Sequence, residues 1–303
     1  GRAEPPEDAT AAQREIAAVI GDQTIYASAI DSQIKQLAPD LATQSPRYQT
    51  LRRELLAKTV DRYLALEYLH RIQVAASDDD LKLGIIRLEN RLKLKQQTLA
   101  DYLKQQQMTR EELEHRLDWQ ITWNRYLNSL LVEANYQTVF NRNPAFFDGT
   151  QIKVSQILLK PDGDSPAQKE RILKQAQKIT QQIKSGELTF PAAAKKYSVS
   201  PNGKKGGLVG WIEYQGSMPP DFNQVAFQLK LSEISQPLVS EFGIHIIRCD
   251  EIKKGTKSWQ QARPQLRDTM ILKLFEFLVS TQRTFLTENQ KLKTHIKIMA
   301  GWQ

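Results

Sequence analysis

The chain has 303 residues, 40% hydrophobic and 25% charged, with a formal net charge of +8. That is the composition of globular domains with room for two of them, and no apolar run reaches the roughly 18 residues that read as a membrane helix. Cys249 is the only cysteine, which excludes an internal disulfide framework and a thiolate zinc site; His70, His115, His245 and His295 include no pair at the i, i+4 spacing of helical metal ligands, so no metal and no cofactor is expected.

Residues 1–15 read as a polar, disordered leader. Two short strands then flank Gly21-Asp22-Gln23, Ala17–Ile20 before the turn and Thr24–Tyr26 after it. Between Pro46 and Ile72, Leu51, Leu55, Tyr63 and Leu66 recur at three- and four-residue steps, the pattern of one long amphipathic helix. Ser77-Asp78-Asp79-Asp80 supplies a cap and first-turn negative charge for a helix through about Gln97. Thr109 with Glu112 forms a capping box that opens a helix running to about Tyr136.

Turn residues gather around Asn141–Pro144 and Asp148-Gly149, and the periodicity changes from helical to alternating at Ile152–Leu158. Ser165-Pro166 starts a helix with Ile172, Ala176, Ile179 and Ile183 on its buried stripe, closed by Gly186. A shorter helix covers Phe190–Tyr197. A glycine-rich loop to Gly207, a strand Leu208–Trp211, a short helix around Pro220–Phe227 and paired strands Leu238–Ser240 and Ile244–Asp250 complete a unit of order β-α-α-β-α-β-β. After Lys253, Leu266, Met270, Leu274, Leu278 and Phe285 mark one more long helix, and Thr294–Met299 alternates like a strand.

A terminal helix and strand cannot bury their apolar faces alone, so the two ends of the chain are expected to build one domain with the β-α unit inserted between them. The fold class is therefore α+β. The expected boundaries are 1–15 for the leader, 16–148 for the first part of a helical domain, 149–254 for the inserted domain, and 255–303 for the helix and strand that complete the helical domain. Net charge is −2 over residues 1–149, +4 over 150–253 and +6 over 254–303. The basic tail has neither stacking aromatics nor a module that would mark nucleic-acid binding, so its charge reads as a solvated face or as one that folds back on the slightly acidic N-terminal part.

An ordered series of motifs carries a resemblance over the inserted segment. It runs Val154-Ser155-Gln156-Ile157-Leu158-Leu159, Phe190 through Lys196-Tyr197-Ser198, then Gly206-Gly207-Leu208-Val209-Gly210-Trp211. It continues through Gly216–Phe222, Ala226-Phe227, Glu233–Leu238 and Phe242-Gly243-Ile244-His245-Ile246-Ile247. Residues 152–253 resemble the parvulin family of peptidyl-prolyl cis/trans isomerases, or rotamases. The flanking helices, with Val19–Ile25, resemble the chaperone body of the SurA/PrsA group of extracytoplasmic foldases.

The resemblance implies a proline pocket lined by Met218, Phe222 and Phe227, with Val209 where the family usually has leucine. The resemblance also implies a catalytic set of His245, Gln156 and Ser200, in which His245 falls on the family's histidine after Phe-Gly-x. Gln156 stands at the position of its partner histidine, Ser200 near the position of a cysteine or aspartate, and Leu208 in place of the aspartate of Gly-Gly-Asp-Leu-Gly. The implied function is peptidyl-prolyl isomerase and chaperone for extracytoplasmic proteins, in the periplasm or cell envelope. The alternative is a catalytically weak or inactive parvulin-fold scaffold that binds extended client segments. Implied partners are unfolded or nascent secreted polypeptides with X-Pro bonds, with membrane proximity and a homodimer as further expectations and no nucleic acid.

Overall fold

The computed structural model describes residues 15–302 except 107, 162 and 164, and omits the side chains of 293 and 294. The expected leader, 1–15, lies outside the described residues apart from Glu15. The chain divides into two compact units, Gly1–Val132 with Thr269–Gln303, and Glu133–Asp268.

In the first unit β1 (Ile16–Ile20) and β2 (Gln23–Tyr26) pair antiparallel about a turn whose Gly21 has φ +55°. Five helices follow: α1 (Ala27–Leu37), α2 (Pro46–Arg71), α3 (Asp78–Lys93), α4 (Leu99–Gln106) and α5 (Arg110–Leu130). The expected caps form. Ser77 accepts from Asp80 N at 3.2 Å while the Asp80 carboxylate accepts from Ser77 N at 2.9 Å. Thr109 and Glu112 repeat the exchange at the start of α5, at 3.1 and 2.7 Å. Each box satisfies backbone donors that a helix start leaves without partners. Along α2, Leu55, Leu56, Val60, Leu64 and Leu69 are buried, and a network fixes α5 beside it: His70 contacts Asp118 at 2.7 Å, and Asp118 accepts from Thr122 at 2.8 Å.

Several elements differ from expectation. α1 follows β2 directly, with Tyr26 at the N-cap and no side-chain cap bond, so no capping residue announces it. α4 is a separate short helix where the sequence suggested none. The helix expected to reach Tyr136 ends at Leu130, because Leu131 takes a non-helical conformation (φ −84°, ψ 52°), and the second unit then opens with α6 (Glu133–Arg142).

The second unit follows the expected order: β3 (Gln151–Leu159), α7 (Pro166–Lys184), α8 (Phe190–Tyr197), β4 (Leu208–Glu213), α9 (Pro220–Ala226), β5 (Leu238–Ser240) and β6 (Gly243–Lys253). They form a four-stranded antiparallel sheet in the order β4-β3-β6-β5. One face carries Ile157, Leu159, Ile244 and Ile246 against Ile172, Ala176 and Ile179 of α7 and Phe190, Ala193 and Ala194 of α8. The other carries Val154, Ile247 and Cys249 against Phe222 and Ala226 of α9. Cys249 is a fully buried core residue, as a small apolar side chain would be.

Helix α10 (Arg263–Glu288) runs from the second unit into the first, followed by α11 (Leu292–His295) and β7 (Ile296–Ile298). The tail strand is shorter than Thr294–Met299, since α11 takes the residues through His295. β7 pairs antiparallel with β1, giving the sheet order β2-β1-β7. Within this unit, Arg283 of α10 donates to Asp61 at 2.7 Å and Gln282 to Glu67 at 3.1 Å. Leu278, Val279 and Leu286 are buried in its core; Phe285, expected on that stripe, is 36% exposed under the Arg71 guanidinium, and Leu286 takes the buried position. The α+β architecture read from the sequence, a helical domain from both ends of the chain around a β-α-α-β-α-β-β domain, is the one the structure has.

Candidate functional site in the sheet domain

Strand register brings the first two polar candidates together. Gln156 on β3 lies opposite Ile247 on β6, and Leu158 lies opposite His245. Residues two apart on a strand share a face, so Gln156 and His245 are diagonal neighbours on the face that packs against α9. The His245 Nδ1 to Gln156 Oε1 distance is 3.0 Å, and the pair is buried. On its other side, His245 Nε2 lies 2.7 Å from Ser240 Oγ on β5. Ser240 in turn accepts from Phe242 N at 3.1 Å.

These contacts fix a proton arrangement. Burial pushes the His245 pKa down from the ordinary histidine value, so the ring is neutral near pH 7. With the amide oxygen of Gln156 facing Nδ1, that nitrogen donates, and Nε2 accepts from the Ser240 hydroxyl, for which it is a nearer acceptor at 2.7 Å than the Gly243 carbonyl at 3.3 Å. Both ring nitrogens are satisfied without a charge.

Two glycines hold the frame. Gly207, at φ +87°, accepts from Gln156 N at 2.8 Å, and an added Cβ would strike the Gln156 carbonyl. Gly243, at φ +134°, opens β6, where a Cβ would strike the carbonyl of Leu159. Only glycine supplies both the positive φ and the close approach.

Phe222 is fully buried and stands edge-on to the His245 ring, centroids 5.6 Å apart at 78°. Met218 and Val209 are partly buried in the same apolar cluster. Phe227, also in that cluster, meets Tyr214 edge-on at 5.4 Å, and Tyr214 stacks on Phe146 at 3.8 Å. Ser200 stands apart from the histidine. It is buried in the turn after α8, where its hydroxyl accepts from Asn202 N at 3.4 Å and its carbonyl from Gly203 N at 2.8 Å; among the described residues its hydrogen bonds are all local. Leu208 is 45% exposed.

Sequence reasoning missed two residues. Ser240 appears in the sequence only as the end of a strand; its spacing of five from His245 across a two-residue turn is the signal that could have found it. Asn223, next to Phe222, is buried and donates to the Met218 carbonyl at 3.0 Å, which pins the loop that carries Met218. Its Oδ1 is buried without a partner among the described residues.

Comparisons with known proteins show what the two parts of the chain are similar to. Residues 157–251 match the PPIC-type PPIASE domain family of rotamases, and residues 6–127 match the SurA-like N-terminal domain. The foldase protein PrsA of Bacillus subtilis is 37% identical over 92 residues, 28% of this chain and 31% of that protein. The chaperone SurA of Photorhabdus laumondii is 24% identical over 262 residues, 80% of this chain and 58% of that protein. This chain thus spans less than two thirds of the length of either relative. Among solved structures, the peptidylprolyl isomerase PrsA of Bacillus anthracis aligns with 76% of this chain and 97% of its own at 19% identity and a TM-score of 0.40. The chain thus carries a match to the PPIC-type PPIase, or parvulin, domain at 157–251 and one to the SurA-like N-terminal domain at 6–127, and its homologues include proteins named SurA and PrsA.

Proposed function

We propose that this chain is a peptidyl-prolyl cis/trans isomerase and folding chaperone for unfolded extracytoplasmic polypeptides, with the isomerase domain at 149–254 set into a helical chaperone domain at 16–148 and 255–303. The observation that carries this reading is the neutral Gln156–His245–Ser240 network standing against Phe222, beside Met218 and Val209.

The reaction is rotation about an X-Pro bond, with a barrier of about 20 kcal/mol that arises from amide resonance. No bond is made or broken. Resonance places positive character on the imide nitrogen and negative character on the oxygen, so an apolar, dry surface disfavours the planar form relative to the twisted one. In this reading Met218, Phe222 and Val209 hold the proline ring, with Phe227 closing the cluster behind them. His245 and Gln156 are positioning residues that set the orientation of the apolar wall, and Ser240 fixes the tautomer of His245. Ser200 acts on the geometry of the 198–207 loop, which carries Gly207 to the Gln156 backbone.

A second reading has its own observation. Phe222 is fully buried and Phe227 is 8% exposed, so both serve the core. A domain kept for gripping extended client segments, without turnover, would carry the same packing. Cis/trans exchange on a panel of X-Pro tetrapeptides, followed by protease coupling or NMR, separates the two. The expected result is acceleration by the intact chain that Phe222→Ala abolishes. No acceleration by wild type, with a gain on Gln156→His, would establish the binding reading instead.

Location in the periplasm or cell envelope and unfolded secreted clients follow from the same proposal. Membrane proximity and a homodimer are further parts of it, tested by cell fractionation and by the mass of the chain in solution.

A further inference from the structure

The helical unit encloses a cavity of about 250 Å3 between α1, α2 and α5, with Gln106 and Met108 from the segment before α5. Arg62 of α2 lines it and is half-buried. Among the described residues its guanidinium has no hydrogen-bond acceptor and no carboxylate within ion-pair distance; the Trp119 ring faces it, 6.0 Å from the guanidinium carbon. Burial and the charge of Arg116 push its pKa below the ordinary arginine value, which is what a missing counter-anion produces.

Ten residues earlier on the same helix, Arg52 shows what a satisfied guanidinium looks like here. It grips Asp31 through Nε at 2.8 Å and a terminal nitrogen at 3.1 Å, and it covers the Trp302 ring at 3.9 Å. Arg62 has the aromatic neighbour but lacks the carboxylate. Among the described residues, no carboxylate of the wall lies within ion-pair distance of it. Glu112 is committed to its cap on Thr109, and His115 is neutral because burial holds its pKa at about 4. Arg116 adds a second cation, and Ile25, Met108 and Trp119 give the wall its apolar part.

We propose that Arg62 is the anchor of a binding site for a carboxylate with an adjoining apolar group, presented either by the C-terminus of a peptide or by an Asp or Glu side chain within one. The planar guanidinium fork matches a carboxylate through two parallel bonds, as Arg52 does with Asp31. The cavity has room for a residue-sized group. A half-buried cation without a counter-anion is partly desolvated at a cost, and a bound anion offsets that cost. The site is separate from the isomerase reading and stands if that reading fails.

Calorimetric titration of the intact chain with three short peptides tests it: N-acetyl-Ala-Leu with a free carboxylate, the same peptide as its C-terminal amide, and N-acetyl-Glu-Leu amide. The expected result is binding of one or both carboxylate peptides and none of the neutral amide. The arm that binds identifies the source of the carboxylate. Arg62→Met weakens binding roughly ten- to a hundredfold, the loss of charged hydrogen bonds. The same variant keeps or raises the thermal midpoint, because it removes an unpaired charge, whereas a structural arginine would lower it. Binding of neither carboxylate peptide, equal binding of all three, or binding that survives Arg62→Met would overturn the proposal.

Discussion

His245 in the sheet unit and His115 in the helical unit are both neutral and both depressed in pKa by burial, yet their surroundings differ. His245 has a partner on each ring nitrogen, and its aromatic neighbour meets it edge-on. His115 stacks flat on Tyr63 at 3.7 Å and 16°, and among the described residues neither of its nitrogens has a hydrogen-bond partner. A saturated network holds one geometry, because changing it breaks bonds in a low-dielectric site. A cavity wall with unspent donors keeps binding capacity but contributes little rigidity. The sheet unit is thus built to preserve a shape, and the helical unit to leave room.

The largest expected effect tests the rigid side. Phe222→Ala removes a fully buried ring from beneath His245 and leaves a cavity, at a cost of about 3–5 kcal/mol. Amide exchange across 151–253 should accelerate while that of β1 and α2 stays unchanged. Loss of protection in β1 as well would mean that the two units do not melt separately.

Trp302→Ala makes the matching test in the helical unit. The indole is buried, donates to Glu15 at 2.9 Å and lies under Arg52. Its loss should cost about 3 kcal/mol, read as a lower urea midpoint and faster exchange in β1 and β7.

The pH response follows next. His115 binds a proton in the unfolded chain near pH 6.5 but in the folded chain only near pH 4. Between those values the unfolded state holds more protons, so stability rises with pH across the window and falls as pH drops through it. Asp118 opposes this shift, and His70 and Arg62 reinforce burial in producing it. The full contribution is on the order of 3 kcal/mol. His115→Asn should flatten the dependence of the urea midpoint between pH 4.5 and 7, and an unchanged slope would remove His115 from the account.

Ser240→Ala gives the smallest effect. It deletes the donor to His245 Nε2 and costs about 1 kcal/mol. Nitrogen NMR of the ring should show Nδ1–H in the wild type and a mixture of tautomers in the variant. A single tautomer in both would show that Gln156 alone sets the proton.

Much of this architecture was legible. The capping boxes at Ser77 and Thr109, the stripe along α2 and the proline at the start of α7 are local features, and local hydrogen bonds and periodicity produce them wherever they occur. The pairing of the tail strand with the leading strands was legible for a different reason: each carries apolar residues that its own neighbours in sequence cannot cover. α1 was not, because it begins from Tyr26 without a side-chain cap. The break at Leu131 was not either, since Leu131 and Val132 are ordinary helix-compatible residues and only backbone conformation distinguishes them.

At the site, the motif order marked Gln156, His245, Met218 and Phe222, but not their relation. By itself the sequence determined the element order, the alternation that puts His245 and Ile247 on one face of their strand, and the glycines where a Cβ cannot fit. These follow from residue type and strand period. The tertiary structure alone decided that the β3–β6 register makes Gln156 a diagonal partner of His245, that β5 turns Ser240 back onto the same ring, and that Ser200 stays in its own turn. It also decided that Arg52 meets Asp31 while Arg62 meets no anion among the described residues. Two arginines on one helix read alike in sequence, and the difference lies in what other segments bring against them.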